Sequence, residues 1–89
     1  MGSYAWIPGG YGSVPSSTAV KAGTDIGGRG TLYAGRASFA GDLLPAKISP
    51  PLGGALIAHG GAEYTISYYE VGVCNLISIF IYPHMLKVN

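Results

Sequence analysis

The chain has little charge and almost no cysteine. Of its 89 residues only 10% are charged, and the formal net charge is +1. Nucleic-acid binding needs a basic patch, which five scattered cations do not form, so we expect no nucleic-acid partner. Cys74 is the only cysteine, which excludes an internal disulfide, the usual support of small secreted domains. A chain of this length forms one domain with a small core, and such domains often depend on a partner.

The chain also lacks targeting and membrane signals. Its first residues contain neither a basic region nor an apolar run, so we expect no signal peptide. The apolar stretch at residues 71–86 is too short for a membrane span and is interrupted by Asn75 and Pro83. These features predict a cytoplasmic protein, with vesicle association or release without a signal as alternatives.

Glycine and proline separate short apolar runs along most of the chain. The 15 glycines, seven tyrosines and six prolines argue against long helices. Residues 8–17 read as a loop, and glycine at 60–61 predicts a two-residue or bulged hairpin turn. Further turns are predicted at residues 23–25, 27–30 and 41–45. Strands are predicted at residues 4–7, 19–22, 31–39, 47–48, 56–59, 63–67 and 68–73. This spacing predicts an all-β, antiparallel, β-sandwich-like fold.

The strand at residues 31–39 shows the clearest alternation. Its apolar face, which we expect to meet the core, consists of Tyr33, Gly35, Ala37 and Phe39. Gly35 leaves room there for a close backbone approach. Arg36 lies on the opposite face, where it can meet water or a carboxylate. We expect Glu63 or Glu70, both in or beside predicted strands, to pair with Arg36.

Scarce charge is concentrated at residues 21–47. This segment holds four of the five basic residues and two of the four acids, which suggests a small polar site on a β scaffold. A carboxylate and an ammonium at strand ends, Asp25 and Lys47, would together bind vicinal sugar hydroxyls. The alternatives are an Asx turn at Asp25 and a solvated surface lysine at Lys47. Asp42 is a weaker candidate, whose alternative role is turn formation after Gly41.

Other polar and aromatic residues are interpreted as structural. His59, His84 and Cys74 match no zinc pattern, and no metal or cofactor is predicted. The sequence DIGGRG at residues 25–30 looks like a nucleotide-binding or S-adenosylmethionine-binding loop, but such a loop needs a buried strand before it and a helix after it. We therefore expect no enzyme. Core or cross-strand roles are expected for Tyr33, Tyr64, Tyr68 and Tyr69.

An ordered series of motifs resembles the DM-nine repeat. The motifs are Trp6, Val14-Pro15, AG-x-D at 22–25, LYAGRA at 32–37, GDLLPAK at 41–47, HGGAE at 59–63 and YEV at 69–71. The resemblance covers residues 4–71. The repeat is found in natterin-like proteins, farnesoic-acid-O-methyltransferase-like proteins and mannose-binding mollusc lectins. Residues 72–89 form a divergent apolar tail where a second repeat is expected, so the chain is interpreted as one repeat. The explanations are a truncated protein, an alternative transcript end, or a tail that replaces a strand of the missing repeat.

The resemblance implies non-enzymatic, mannose-type carbohydrate recognition in pathogen sensing. In the mannose-binding members, the positions matching Asp25 and Lys47 contact the ligand. Ala46 departs from the family glycine before Lys47, and it would displace Lys47 if that position required a positive φ. The alternative is a structural or protein-interaction module with a degenerate sugar site. A mannose-containing glycan is thus the expected ligand, and a homodimer or another repeat-bearing protein is expected to complete the fold.

Overall fold

A computed structural model describes residues 3–25, 27 and 30–75. Within these residues the chain forms β-strands and no helix, which confirms the all-β prediction. None of the described residues belongs to a helix long and apolar enough to cross a membrane. The strands are β1 (Ser3–Gly10), β2 (Lys21–Asp25), β3 (Gly30–Phe39), β4 (Asp42–Ser49), β5 (Gly54–His59), β6 (Ala62–Ile66) and β7 (Tyr68–Asn75).

The strands form one antiparallel sheet that divides beside β3. The order is β1-β7-β3-β4-β5-β6, and β2 also pairs with β3. One edge of β3 is shared, because β7 pairs with it at Gly35 and Arg36 and β2 pairs with its first residues. Val20 fits where β3 and β7 separate. Its N–H donates to the Gly72 carbonyl at 2.9 Å, and its carbonyl accepts from the Ala34 N–H at 2.8 Å. We call this point the sheet fork.

Two-residue turns connect β3 to β4 and β5 to β6. Gly60 and Gly61 have φ values of 60° and 81°, so the predicted hairpin is confirmed. Ala40 and Gly41 have φ values of 53° and 83° in the corresponding positions. Positive φ at both central residues matches the strand twist in such hairpins, which is why glycine is favoured there.

The turn predicted at residues 41–45 is wrong. The Ala40-Gly41 turn already reverses the chain, so β4 begins at Asp42 and carries Lys47 in its interior rather than at its start. Pro45 is accommodated within the strand opposite Arg36. β5 pairs only with residues 47–49, so the edge of β4 that faces β5 is open at Pro45. Because no strand pairs with that edge at Pro45, the missing N–H of the proline removes no hydrogen bond to β5.

The predicted turn at residues 23–25 is also wrong. These residues belong to β2, and the register shifts between Lys21 and Gly23 in a β-bulge, where Gly23 has a φ of 140°. A bulge absorbs one extra residue without ending the strand. Likewise residues 8–10, predicted as loop, extend β1. Pro8 is tolerated there because β1 is an edge strand. Predictions for the residues beyond Asn75, including His84 and the apolar tail, lie outside the described residues.

The core lies against one face of the sheet. Ile48, Ile57 and Val71 are fully buried there, and Val14 and Ala19 from the β1–β2 connection pack onto this cluster. The predicted core face of β3 is confirmed, since Gly35 and Ala37 are buried and Tyr33 and Phe39 pack against the cluster. β5 and β7 contact each other although two strands separate them in the sheet order. Strong curvature thus lets one sheet enclose its own core in a sandwich-like manner.

Tyrosines fix the connection between β1 and β2. The Tyr69 hydroxyl donates to the Ser13 carbonyl at 2.9 Å, and burial raises the pKa of Tyr69 above its ordinary value. Tyr11 and Tyr68 share a hydroxyl hydrogen bond of 2.9 Å, which raises the pKa of Tyr11. The expected core role is therefore confirmed for Tyr69, while Tyr68 is exposed and contacts a connection residue.

Candidate functional site

The sheet face opposite the core, which we call the outer face, carries the charged strand residues. Arg36 lies there because it alternates with the buried Gly35 and Ala37. Lys47 pairs with Ala34 on one side and Leu56 on the other, which puts it on the same face. Cross-strand pairs share a face of a sheet, so the register alone places these side chains together.

Arg36 is held by a carboxylate and an indole. Its Nε donates to Glu70 Oε1 at 2.7 Å, which confirms the prediction that a strand glutamate pairs with it. Its Cζ lies 4.3 Å from the centroid of the Trp6 ring. Both charged side chains are about one-third exposed, at 32% and 39%, so solvent screens the ion pair and its main effect is to orient the guanidinium.

A cleft of about 580 Å³ opens beside Lys47 on the outer face. Leu32 and Leu56 contribute apolar surface to it, and both side chains are largely buried. Lys47 and Glu63 also line it, from β4 and β6 respectively. The register puts them on opposite sides of β5, two strand spacings or about 10 Å apart across the sheet. We call this the Lys47 cleft.

The Lys47 ammonium is available to a ligand. The side chain is exposed, and no carboxylate within the described residues forms an ion pair with it. Its stem stands between Ala34 and Leu56, so the methylenes pack on apolar neighbours while the charge reaches water. A cation and a carboxylate beside an apolar surface match a ligand that has both hydroxyl groups and apolar C–H surface.

Asp25 ends β2 at some distance from Lys47 in the register. It pairs with Gly30, whereas Lys47 pairs with Ala34. Four residues of β3 separate the two positions, about 13 Å along the strand. Lys47 shares the outer face with its partner Ala34. Ala22, also from β2, lines the Lys47 cleft.

Asp42 occupies another part of the molecule. It pairs with Phe39 at the first position of β4, five residues from Lys47. An odd separation puts two strand residues on opposite faces, and Phe39 packs against the core cluster. Asp42 itself is exposed at the hairpin end. The structure does not bring Asp42 to the Lys47 cleft.

Ala46 does not displace Lys47. It is a buried residue of β4 that pairs with Gly35, and the non-glycine residues with positive φ in the described part of the chain are Tyr11 and Ala40. The backbone at Ala46 is therefore ordinary extended strand, and alanine fits it without strain. The departure from the family glycine leaves the direction of Lys47 unchanged.

The histidine that the structure describes packs against an aromatic ring. His59 lies 5.1 Å from the Phe39 ring centroid, and Tyr64 covers the same phenylalanine at 4.7 Å. This contact gives His59 the structural role that the sequence suggested. Among the residues that the structure covers, no three His, Cys, Asp or Glu side chains form a group able to hold a metal ion.

Sequence reasoning missed Trp6 and Glu63 as site residues. Trp6 was treated only as part of a motif, yet its side chain is 45% exposed on the outer face. Its being the single tryptophan of the chain was the available signal. Glu63 was expected, together with Glu70, only as a possible partner of Arg36, but it lines the Lys47 cleft, because the β5–β6 register puts it opposite Ala58.

This geometry defines a small all-β protein with a cleft, lined by Lys47, Glu63 and apolar residues, on the outer face of a divided antiparallel sheet. The DM9 repeat family model matches residues 27–80, more than half of the chain, and the chain belongs to the DM9 repeat family. DM9 repeats are known in carbohydrate-binding, lectin-like proteins. No curated protein matches the chain.

Proposed function

We propose that this chain is a non-enzymatic carbohydrate-binding protein that recognises a mannose-type sugar at the Lys47 cleft. The observation that carries the proposal is the cleft itself, where an ammonium and a carboxylate flank apolar surface. Its volume of about 580 Å³ suits a small ligand. Mannose-type specificity and a role in pathogen sensing rest on the resemblance of residues 22–25 and 41–47 to the mannose-binding members of the family.

The chemistry of the cleft suits a sugar ring. The Lys47 ammonium donates up to three hydrogen bonds to hydroxyl oxygens, and a carboxylate accepts from hydroxyl hydrogens. Glu63 supplies a carboxylate within the cleft, and the resemblance to the mannose-binding members assigns a second ligand carboxylate to Asp25. The apolar C–H surface of the sugar then rests on Leu32 and Leu56. Binding by several directional hydrogen bonds requires no covalent step, which fits recognition rather than catalysis.

Calorimetric titration with methyl α-mannoside tests this site. We expect Lys47→Ala to weaken binding by about 10- to 100-fold, the value of a hydrogen bond to a charged group, and the resemblance predicts a loss of the same size for Asp25→Ala. Matched controls are Lys21→Ala, whose partner Tyr33 belongs to the core face, and Asp42→Ala at the hairpin end. Both controls should bind as the wild type does.

Two outcomes would contradict the proposal. Full binding by a folded Lys47→Ala variant would remove Lys47 from the site. A wild-type chain that binds no member of a glycan array would favour the alternative function, a structural or protein-interaction module. Circular dichroism of each variant separates loss of binding from loss of fold.

We also propose that the chain associates with a second copy or with another repeat-bearing protein. β6 ends the strand order, and no other described strand pairs with its outer edge. An unpaired edge presents backbone donors and acceptors that another strand can satisfy. Two copies related by a two-fold axis would meet through the same edge. Such a dimer would carry two sugar sites, which strengthens weak binding through avidity.

A further inference from the structure

A second cavity lies on the outer face beside Trp6. It has a volume of about 300 Å³ and adjoins the sheet fork. The residues that shape it are Tyr4, Trp6, Val20, Ala34 and Gly72. Ala34 also lines the Lys47 cleft and pairs directly with Lys47. The two cavities therefore share one small lining residue, Ala34.

The Trp6 ring is held in a fixed orientation. The Arg36 guanidinium lies over the ring at 4.3 Å, and Glu70 holds Arg36 at 2.7 Å. Arg36 does not line the Trp6 cavity, whereas the indole does. A ligand that stacks on the indole in this cavity binds a side chain that is already immobilised, so binding costs little further side-chain entropy.

Glycine gives the indole its position. Gly72 pairs with Trp6 across β1 and β7, and a Cβ at Gly72 would lie 3.6 Å from the indole atom Cζ3 and 3.7 Å from the Ala34 side chain. The ring therefore extends over Gly72 towards Ala34. Two small residues leave the space between the indole and Lys47 open.

An exposed indole face beside small residues suits a pyranose ring. The C–H bonds on one side of a pyranose are weakly positive and match the negative face of an aromatic ring. The Tyr4 hydroxyl, on a side chain that is 77% exposed, provides a hydrogen-bonding group at the margin of the cavity. The cavity carries no unpaired charge of its own, which suits a neutral sugar better than a nucleotide or a phosphorylated ligand.

We propose that the Trp6 cavity is a second sugar subsite and that the ligand of this protein is an oligosaccharide. This inference rests on the proposed sugar binding at the Lys47 cleft and extends it. β1 and β4 are three strand spacings apart across the sheet, or about 14 Å. The indole shortens that span by reaching over Gly72. Two or three linked sugar residues bridge it, with one held by Lys47 and the next stacked on Trp6.

Titration of monosaccharide and oligosaccharide in parallel tests the inference. The ligands are methyl α-mannoside, an α-linked mannobiose and a mannotriose. The wild type should bind the longer ligands more tightly by up to about tenfold, the value of one aromatic stacking contact. Trp6→Ala should lose that gain in affinity and should bind the monosaccharide with the affinity of the wild type. Trp6→Phe should keep most of the gain, and Tyr11→Ala, which removes another exposed aromatic, should behave as the wild type does.

Each measurement separates the two sites. Monosaccharide binding reports on the Lys47 cleft, and the gain from a further sugar residue reports on Trp6. The inference is overturned if the wild type binds all three ligands equally, or if Trp6→Ala keeps the gain, and the proposed function survives either result. Because Trp6 is the single tryptophan, its fluorescence gives a second readout. The longer ligands should change its emission and the monosaccharide should not, whereas an equal change for both would count against a separate subsite.

Discussion

Ala40 has the least favourable backbone conformation of any alanine in the described part of the chain. Its φ of 53° lies in the left-handed region, where a Cβ crowds the following carbonyl. The corresponding turn between β5 and β6 uses glycine at both positions. The β5–β6 hairpin therefore has residues suited to positive φ at both turn positions, whereas the β3–β4 hairpin carries strain at one exposed residue, Ala40. That strain lies at the hairpin end, away from the Lys47 cleft.

Replacing Ala40 with asparagine should stabilise the fold. Asn-Gly is a favoured pair for this turn, and asparagine tolerates positive φ, so Ala40→Asn should raise the free energy of unfolding by about 0.5–1 kcal/mol. The matched control is Ala62→Asn, which follows the other hairpin turn at an exposed strand position with an ordinary φ. Urea denaturation measures both variants. An unchanged or lower midpoint for Ala40→Asn would show that the turn is not strained.

At the scale of the secondary-structure element, β3 organises the molecule. It pairs with β4 along one edge, and it shares the other edge between β2 and β7. The sheet fork requires the backbones of β3 and β7 to approach closely at Gly35. A Cβ there would lie 2.5 Å from Ile48 Cδ1 and 2.8 Å from the Glu70 carbonyl oxygen. The carbonyl belongs to the backbone of a paired strand, so it cannot move aside.

Gly35→Ala should therefore destabilise the sheet. Overpacking of this kind costs about 1–3 kcal/mol, and we expect a loss in that range from the free energy of unfolding. Gly72→Ala is the matched control on β7, because its nearest heavy atom would lie at 3.5 Å, an ordinary contact distance. Thermal and urea unfolding should separate the two variants clearly. Equal stability for both would mean that β3 and β7 have room to separate.

Local pattern was enough to predict the strands that alternate and the turns that glycine marks. The alternation of residues 31–39 identified the core face of β3, and Gly60-Gly61 identified a hairpin, because side-chain period and positive φ are local properties. The pattern failed at residues 41–45. Proline and glycine in this segment are typical of a turn. Whether Pro45 disrupts a strand depends, however, on whether a neighbouring strand pairs with β4 at that position. That pairing is set by β5, which lies further along the chain.

The candidate site was predicted less completely, since it depends on pairings between distant segments. Lys47 was identified as a candidate, yet its place between Ala34 and Leu56 follows from β3 and β5 pairing with β4. Trp6 meets Arg36 only because β1 pairs with β7 and β7 pairs with β3. No local signal in the sequence reports such a pairing, so the Trp6 cavity was not foreseen.

At the scale of the whole molecule, the open edge of β6 has a consequence for assembly. The wild type should sediment as a species of twice 9.1 kDa at micromolar concentration. Charged edge residues block pairing between strands, so Thr65→Lys on β6 should shift the protein towards the monomer. Ser38→Lys, also exposed but on the interior strand β3, is the control and should leave the dimer intact. A monomeric wild type would contradict the proposal.

The pairing of β1 with β7 also determines the order in which the molecule assembles. Hairpins such as β3–β4 and β5–β6 join neighbouring segments and form at small entropic cost. β1 must instead find a partner near the other end of the described chain, with Ser3 opposite Asn75. Contacts of such high sequence separation are slow to form, so we expect β1 to close last. The indole then reaches Arg36 only in the final step, and emission from the single tryptophan follows completion of the fold rather than its beginning.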